Sequence, residues 1–171
     1  MDTEQLKKML ERVRSGEVNV DAALLELRHM PFEDVGFAKL DHHRALRHGM
    51  SEVVFGKGKT ADQVAILAEK ILEHNRNLLI TRATEEMGSR LMATCPDAEY
   101  HPLSGVIRVW RDREKHGKGT IAVVCAGTSD IPVAEEAALT AEVMGNEVEA
   151  IHDIGVAGIH RLVSNADRLQ K

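Results

Sequence analysis

The sequence contains few cysteines and no long apolar run. Its 171 residues include two cysteines, Cys95 and Cys125, without CxxC spacing, which argues against a disulfide framework and a cysteine zinc site. No stretch approaches the roughly 20 apolar residues of a membrane-spanning helix, and the first residues lack the apolar core of a signal peptide. We therefore expect a cytoplasmic protein with reduced cysteines and no membrane partner.

A basic surplus is also missing. The formal net charge is −5 at pH 7, which argues against nucleic acid as a partner, because phosphate backbones are bound chiefly through excess lysine and arginine. The 43% apolar and 29% charged residues suffice for a core in one domain or in two small ones. These proportions indicate an ordinary globular protein.

The most informative segment runs from Thr120 to Asp130. An apolar stretch breaks at Gly127, meets small polar residues and leads into an alanine-rich segment, which predicts a buried strand, a tight turn and a helix. Such a turn directs backbone N–H groups at one point and suits a phosphate at the carboxyl end of a parallel strand. Cys125, at the end of this strand, is either a core residue or a nucleophile.

Negative charge complicates a phosphate site at this turn. Glu135 and Glu136 are expected in the first turn of the helix, where they would repel a phosphate. Asp130 is therefore either a helix cap alone or a cap that also binds a sugar hydroxyl or transfers a proton.

Apolar periodicity and capping residues predict the remaining elements. Thr60 and Gln63 form the sequence pattern of a capping box, Thr84 is the expected cap of a further helix, and Asn19 that of an early one. The predicted helices cover 5–13, 20–30, 60–74, 84–92, 131–144 and 158–169. The predicted strands cover 35–37, 53–55, 77–80, 106–110, 120–126 and 147–151, and a strand, helix, strand unit is expected between 78 and 101.

These elements predict an α/β protein in two parts. A helical and small α/β N-terminal domain occupies 1–112, a polar linker occupies 113–118, and 119–171 begin a doubly wound parallel sheet in the order β-α-β-α. Two parallel strands cannot cover both faces and both edges of a sheet. We expect either a truncated chain or a sheet that other segments or subunits complete, and hence a homo-oligomer.

Three familiar motifs do not fit. The segment Gly56–Thr60 resembles the end of a P-loop, but Val53 stands where the first glycine is required. The turn after Gly127 lacks the further glycines of a dinucleotide fingerprint. The histidine groups also have no recognised ligand spacing, so no resident metal is expected; they comprise His42, His43 and His48, and His152 and His160 with Asp153.

The second half of the chain resembles the phosphoribosylaminoimidazole (AIR) carboxylase fold, a flavodoxin-like parallel sheet. Members of that family begin with a strand, Gly-Ser-x-Ser-Asp and a helix; Ser129 and Asp130 match, whereas Ala126 and Gly127 replace Gly-Ser. The purine-pathway enzymes follow the second strand with Ser-Ala-His-Arg, but the corresponding His160 and Arg161 fall in a predicted helix here.

Four blocks in one order resemble a narrower family. They are 36–47, 52–60, 126–130 and 153–161, and together they look like LarB, the pyridinium-3,5-biscarboxylic acid mononucleotide synthases, from about Gly36 onward. The resemblance implies a reaction that opens nickel-pincer cofactor synthesis. Nicotinic acid adenine dinucleotide is carboxylated on its pyridinium ring by carbon dioxide or bicarbonate, and its phosphoanhydride is hydrolysed to release AMP.

The resemblance also implies roles for particular residues. Asp130 is the expected catalytic residue, as a ribose or proton-transfer partner. The expected substrate-binding residues are Gly127, Thr128, Ser129, Asp153, Gly155, His160 and Arg161. No tightly bound cofactor is expected, although the hydrolysis leaves a requirement for Mg²⁺ open.

The family's nucleophilic cysteine belongs to a region beyond Lys171, so we expect this chain to be inactive alone. Residues Asp41 to Arg44, together with Arg47, are compatible with contact to the AMP half, with an interface or with capping. Two other functions stay open: a noncatalytic nucleotide-binding module, and an AIR carboxylase or mutase of purine synthesis.

Overall fold

The computed structural model describes residues 3–28, 33–41, 44 and 52–169. Helices α1 (Thr3–Arg14) and α2 (Val20–Arg28) come first and form a hairpin. Asn19 caps α2 as predicted, because its Oδ1 accepts a hydrogen bond from the Ala22 N–H at 2.7 Å. Residues 29 and 30, the predicted end of this helix, lie outside the described residues.

A short antiparallel pair follows the hairpin. Its strands are β1 (Glu33–Asp34) and β2 (Lys39–Leu40). The predicted strand over 35–37 is wrong, because these residues form the bend that joins β1 and β2. Gly36 has a φ of 86°, in the left-handed region, and its N–H donates to Asp34 Oδ1 at 2.8 Å.

The N-terminal part is built around a four-stranded mixed sheet. Its strands are β3 (Val53–Phe55), β4 (Asn77–Thr81), β5 (Ala98–His101) and β6 (Val106–Trp110), in the order β3-β4-β6-β5. The pair β3 and β4 is parallel, whereas β6 is antiparallel to both of its neighbours. The strand, helix, strand unit predicted between 78 and 101 is present, with β6 inserted between its two strands.

Two helices with the predicted caps cover this sheet. They are α3 (Ala61–His74) and α4 (Glu85–Met92). Thr60 Oγ1 accepts a hydrogen bond from the Gln63 N–H at 3.2 Å, and the Thr60 N–H donates to Gln63 Oε1 at 3.0 Å. Thr84 Oγ1 accepts from the Met87 N–H at 3.3 Å. The inward face of α3 consists of Val64, Leu67, Ala68 and Ile71, which are buried, and Leu72, which is partly buried.

The second part of the chain has the predicted β-α-β order. Its elements are β7 (Thr120–Val124), α5 (Ile131–Val143) and β8 (Glu147–Ile151), and β7 and β8 are parallel. The single helix predicted over 158–169 is wrong. A 3₁₀ turn over Val156–Gly158 precedes α6 (Ile159–Ser164), and Asn165 separates α6 from α7 (Ala166–Leu169). The α/β class with parallel strands is confirmed.

Helix α5 packs on both parts. Leu139 contacts Leu79 and Val106 of the N-terminal sheet, while the same helix also packs on β7 and β8. Between the parts, the amides of His116 and Gly117 donate to the Gly145 carbonyl at 2.8 and 3.1 Å. The proposed domain boundaries stay predictions.

Strand β7 is partly exposed, although the sequence predicted a buried strand. Ile121 is 42% exposed and Val124 is 45% exposed. The reason is its neighbourhood among the described residues: β7 pairs with β8 alone, and α5 is the helix that packs against it. Apolar composition therefore predicted the strand correctly but not its burial.

No helix in the described ranges combines the length and apolar character needed to cross a membrane.

Candidate functional site

The loops after β7 and β8 meet at one edge of their two-stranded sheet. Val124 pairs with Ile151 at the ends of the strands, and the ladder continues past them. The Ile154 N–H donates to Cys125 O at 3.2 Å, and the Gly155 N–H donates to Ala126 O at 3.0 Å. The structure thus brings the turn over 127–130 beside residues 153–155. Both segments lie at the carboxyl ends of the strands, the edge at which parallel sheets bind ligands.

Asp130 closes the turn that follows β7. Its Oδ2 accepts the Gly127 N–H at 3.0 Å, and its own N–H donates to the Gly127 carbonyl at 3.0 Å. The expectation that its side chain caps α5 is wrong, because Asp130 makes no side-chain bond to that helix and Pro132 occupies the helix's first turn. A proline there has no N–H to cap.

The outer side of this turn is open. Thr128 and Ser129 are exposed, and among the described residues no acceptor bonds their backbone N–H groups. A Cβ built on Gly127 would meet only Asp130 Oδ2, at 4.0 Å. The turn therefore offers two amides, two hydroxyl groups and space for an oxyanion, which is the chemistry of a phosphate site.

The two glutamates that follow the turn are directed toward the N-terminal sheet. Because α5 begins at Ile131, Glu135 and Glu136 lie beyond its first turn, contrary to the prediction. Glu135 Oε2 accepts the Ser104 N–H at 3.0 Å, and Glu136 Oε2 pairs with Arg82 Nε at 3.0 Å. These partners weaken the repulsion of a phosphate that the sequence predicted.

Cys125 lies under the turn and is 6% exposed, as the core alternative requires. Its Sγ is 3.4 Å from Nδ1 of His152, an exposed residue that follows the adjacent strand. The other thiol, Cys95, is also buried, and burial raises its pKa. Neither thiol is exposed for attack on a large substrate.

On the neighbouring loop, Asp153 and Arg161 form an ion pair. Asp153 Oδ2 is 2.5 Å from Arg161 Nη1, and Asp153 has a φ of 58°. A Cβ on Gly155 would lie 2.8 Å from the Ala126 carbonyl oxygen, so glycine permits the close approach of the two loops. His160 is exposed on α6, and of the predicted His-Arg pair only Arg161 is linked to this loop.

Other titratable groups add no metal site. Among the residues that the structure describes, no three His, Cys, Asp or Glu side chains are grouped to hold a metal ion. The predicted positions His42, His43, Arg47 and His48 lie outside the described residues.

Sequence reasoning missed two contacts at this edge, the one between Cys125 and His152 and the one between Asp153 and Arg161. Both depend on the register of β7 against β8. The predicted parallel order of the two strands indicated that their carboxyl ends share one edge, but it gave no signal of which residues lie opposite each other.

Comparison with known proteins places the chain in a family. Residues 32–112 match the LarB/PurE-like N-terminal domain. An uncharacterized protein of Methanocaldococcus jannaschii is 31% identical over 185 aligned residues, which cover 96% of this chain and 67% of that protein. The chain belongs to the LarB/PurE-like family. This family is AIR carboxylase-like, and its members are carboxylases and mutases.

Proposed function

We propose that this chain binds nicotinic acid adenine dinucleotide for carboxylation of its pyridinium ring in nickel-pincer cofactor synthesis. The carboxylation is coupled to hydrolysis of the phosphoanhydride, which releases AMP. The observation that carries the proposal is the shared edge at which the open turn over 127–130 lies beside 153–155. The matched LarB/PurE-like domain supports the substrate class.

The turn accounts for recognition of the nucleotide. The phosphate of the nicotinic acid half binds the amides and hydroxyl groups of Thr128 and Ser129, and Gly127 leaves room for its oxygens. Asp130 uses Oδ2 to hold the turn, which leaves Oδ1 to accept a ribose hydroxyl or a proton. Arg161, held by Asp153, supplies positive charge on the neighbouring loop, while Gly155 lets the two loops approach.

The chemistry requires a nucleophile in addition to this site. A pyridinium ring is electron-poor, so a nucleophile must first add to it before the resulting enamine-like ring can attack carbon dioxide. Loss of the ring proton and departure of the nucleophile then restore the aromatic ring. Because Cys95 and Cys125 are both buried, we propose that this chain alone does not complete the reaction. Any Mg²⁺ would serve the hydrolysis.

A noncatalytic nucleotide-binding module is the second candidate, and the burial of both thiols favours it. An AIR carboxylase is a weaker alternative, because Arg161 lies on α6 and pairs with Asp153 instead of belonging to the loop after β8.

Titration calorimetry with nicotinic acid adenine dinucleotide, AMP and aminoimidazole ribonucleotide separates these functions. We expect the dinucleotide to bind best; tight binding of aminoimidazole ribonucleotide alone would reject the proposal, and AMP binding equal to that of the dinucleotide would favour the module. Incubation with the dinucleotide and bicarbonate should give no carboxylated mononucleotide. Its appearance would refute the predicted inactivity.

A further inference from the structure

The thiol of Cys125 has no part in the function proposed above. The residue follows β7 and is buried, so the thiol does not reach a large substrate itself. Its Sγ nevertheless lies 3.4 Å from Nδ1 of His152, which follows β8 and is exposed. This contact joins the interior of the fold to the edge of the sheet at which we expect the substrate to bind.

The pairing of β7 with β8 brings these two side chains together. Val124 pairs with Ile151, so the next residues of the two strands, Cys125 and His152, stand opposite each other. The Cys125 N–H donates to Ile151 O at 3.1 Å, and the Ile154 N–H donates to Cys125 O at 3.2 Å, which continues the ladder past the strand ends. Because residues that stand opposite each other project to the same face of a sheet, the contact follows from the register.

In this contact the thiol is the better donor. Among the residues that the structure describes, Nδ1 of His152 is the hydrogen-bond partner of Cys125 Sγ. A sulfur atom accepts hydrogen bonds weakly, whereas Nδ1 of a neutral imidazole is a good acceptor for a buried S–H group. An imidazole ring that accepts at Nδ1 carries its proton on Nε2. The contact with Cys125 therefore favours the tautomer in which Nε2 is a donor.

The Nε2–H group of His152 lies at the edge of the candidate site. Because Nδ1 faces the buried thiol, Nε2 on the far side of the ring points away from the interior. His152 directly precedes the loop over 153–155, where the Gly155 N–H donates to Ala126 O at 3.0 Å beside the phosphate turn. The carboxylate next to His152 belongs to Asp153, and Arg161 pairs with it. An anion at this edge thus meets a donor and a neutralised carboxylate.

We propose that His152 donates its Nε2–H to the second phosphate of the dinucleotide, the one released with AMP, and that Cys125 is the positioning residue for the ring; both roles rest on the proposed function. If the first phosphate occupies the turn over 127–130, the second is joined to it through one bridging oxygen and must lie beside the turn. The nicotinate carboxylate is separated from the first phosphate by the ribose and the ring. A hydrogen bond to a phosphate oxygen is charge-assisted and therefore strong.

Titration calorimetry with two ligands tests the role of His152. Nicotinic acid mononucleotide lacks the second phosphate of the dinucleotide. His152→Ala should weaken binding of the dinucleotide about tenfold and that of the mononucleotide less than about twofold. His116→Ala is the matched control and should leave both affinities unchanged, because the exposed His116 precedes β7 and lies at the opposite edge of the sheet.

A double-mutant cycle tests whether Cys125 acts through His152. Cys125→Ser keeps an O–H donor and should retain dinucleotide affinity within about twofold, whereas Cys125→Ala should weaken it about threefold. Combined with His152→Ala, the Cys125→Ala change should have no further effect. A thiol that only supports the fold would instead weaken binding equally in both backgrounds. Circular dichroism establishes that the variants are folded.

Imidazole ¹⁵N NMR of the free chain gives a readout that needs no ligand. At about pH 8, where an ordinary imidazole is neutral, we expect the proton of His152 on Nε2. A proton on Nδ1, equal loss of both ligands in His152→Ala, or the same effect of Cys125→Ala in both backgrounds would each overturn the inference. A wild-type chain that does not bind the dinucleotide would reject the proposed function as well, whereas wild-type binding that His152→Ala leaves unchanged would overturn this inference alone.

Discussion

Asp130 accepts the backbone N–H of Gly127 at 3.0 Å and so holds the turn in which it lies. The carboxylate that we propose to act on the substrate is therefore also a structural group. Any loss of function on changing Asp130 combines two effects, and the choice of substitution decides which of them is measured.

The structural role of Asp130 can be measured by stability alone. Asp130→Ala removes the acceptor for the Gly127 N–H and should lower the free energy of unfolding by about 0.5–1.5 kcal/mol. Asp130→Asn keeps an oxygen at that position and should lose less than half as much. Urea denaturation of the two variants checks this, and equal losses would show that the turn does not depend on this bond.

Substitution of two glycines of the site by alanine should affect different properties: stability at Gly155 and dinucleotide binding at Gly127. At Gly155 the new Cβ would approach the Ala126 carbonyl oxygen to 2.8 Å, so backbone must shift, at a cost of about 1–3 kcal/mol in unfolding free energy. At Gly127 the Cβ enters open space, so stability should change by less than about 0.5 kcal/mol while the space for a phosphate narrows. Thermal unfolding measures the first effect, and calorimetry with the dinucleotide measures the second.

Should Gly155→Ala prove as stable as wild type, the two loops are farther apart in solution than the structure places them. A Gly127→Ala variant with unchanged dinucleotide affinity would remove that glycine from the proposed site.

Arg108 is expected to fix α5 on the N-terminal sheet. Its Nε is 2.7 Å from Glu99 Oε2 and its Nη1 is 2.7 Å from Glu142 Oε2, and its side chain is 11% exposed. Arg108→Met removes the partner of Glu142 and the nearest partner of Glu99, which keeps His101 at 3.7 Å and Arg113 at 3.9 Å. Because both carboxylates are partly exposed, we expect the free energy of unfolding to fall by about 1–3 kcal/mol. Chemical denaturation gives the value.

Arg113 supplies the matched control for Arg108. Both guanidinium groups stack on the Trp110 ring, at 4.6 Å for Arg108 and 4.8 Å for Arg113. The side chain of Arg113 is 64% exposed and its Nη2 lies 3.9 Å from Glu99 Oε1, so Arg113→Met removes an exposed, weak ion pair and should cost less than about 1 kcal/mol. Similar losses for the two variants would show that the ion pairs of Arg108 with Glu99 and Glu142 do not hold the helix in place.

Asp97 should give the protein a pH-dependent stability. Hydrogen bonds from Arg111, with Nε 2.5 Å from Oδ2, hold the pKa of Asp97 well below its usual range, and the Cys95 thiol donates to Oδ1 at 3.0 Å. Above about pH 4 an unfolded aspartate is ionised, so the folded state keeps the full benefit. As the pH falls further, the unfolded state binds a proton that the folded state does not, and the benefit is lost.

The variant Asp97→Asn should accordingly be less stable than wild type at pH 7, with a difference that narrows between pH 4 and pH 2. Asp62→Asn is the control, since Asp62 pairs with Arg90 while 78% exposed and should change stability by less than about 0.5 kcal/mol. Denaturant titrations across this range check both variants. A constant difference for Asp97→Asn would contradict the account.

Local sequence signals predicted much of the fold. Thr60 with Gln63 specified the start of α3 through a bond that involves residues three apart, and the break at Gly127 marked the end of β7. Long-range pairing was less accessible: nothing local indicated that β6 would insert between β4 and β5. The predicted strand over 35–37 is wrong because the two apolar residues, Val35 and Phe37, flank a glycine that turns the chain.

For the candidate site, the sequence indicated which segments would meet but not which atoms. The shared edge of 127–130 and 153–155 followed from the predicted parallel order of the two strands, whose carboxyl ends lie at the same edge of a sheet. The bond from Gly127 to Asp130, the ion pair of Asp153 with Arg161 and the engagement of Glu135 by Ser104 depend on register and packing between distant residues. These contacts required the three-dimensional structure.

A titration of ¹⁵N-labelled protein with nicotinic acid adenine dinucleotide, followed by amide NMR shifts, tests the central claim most directly. We expect the largest shifts at the amides of residues 127–129, with smaller ones at 153–155. Shifts confined to the N-terminal sheet, or none at saturating dinucleotide, would contradict the assignment of this turn as the phosphate site.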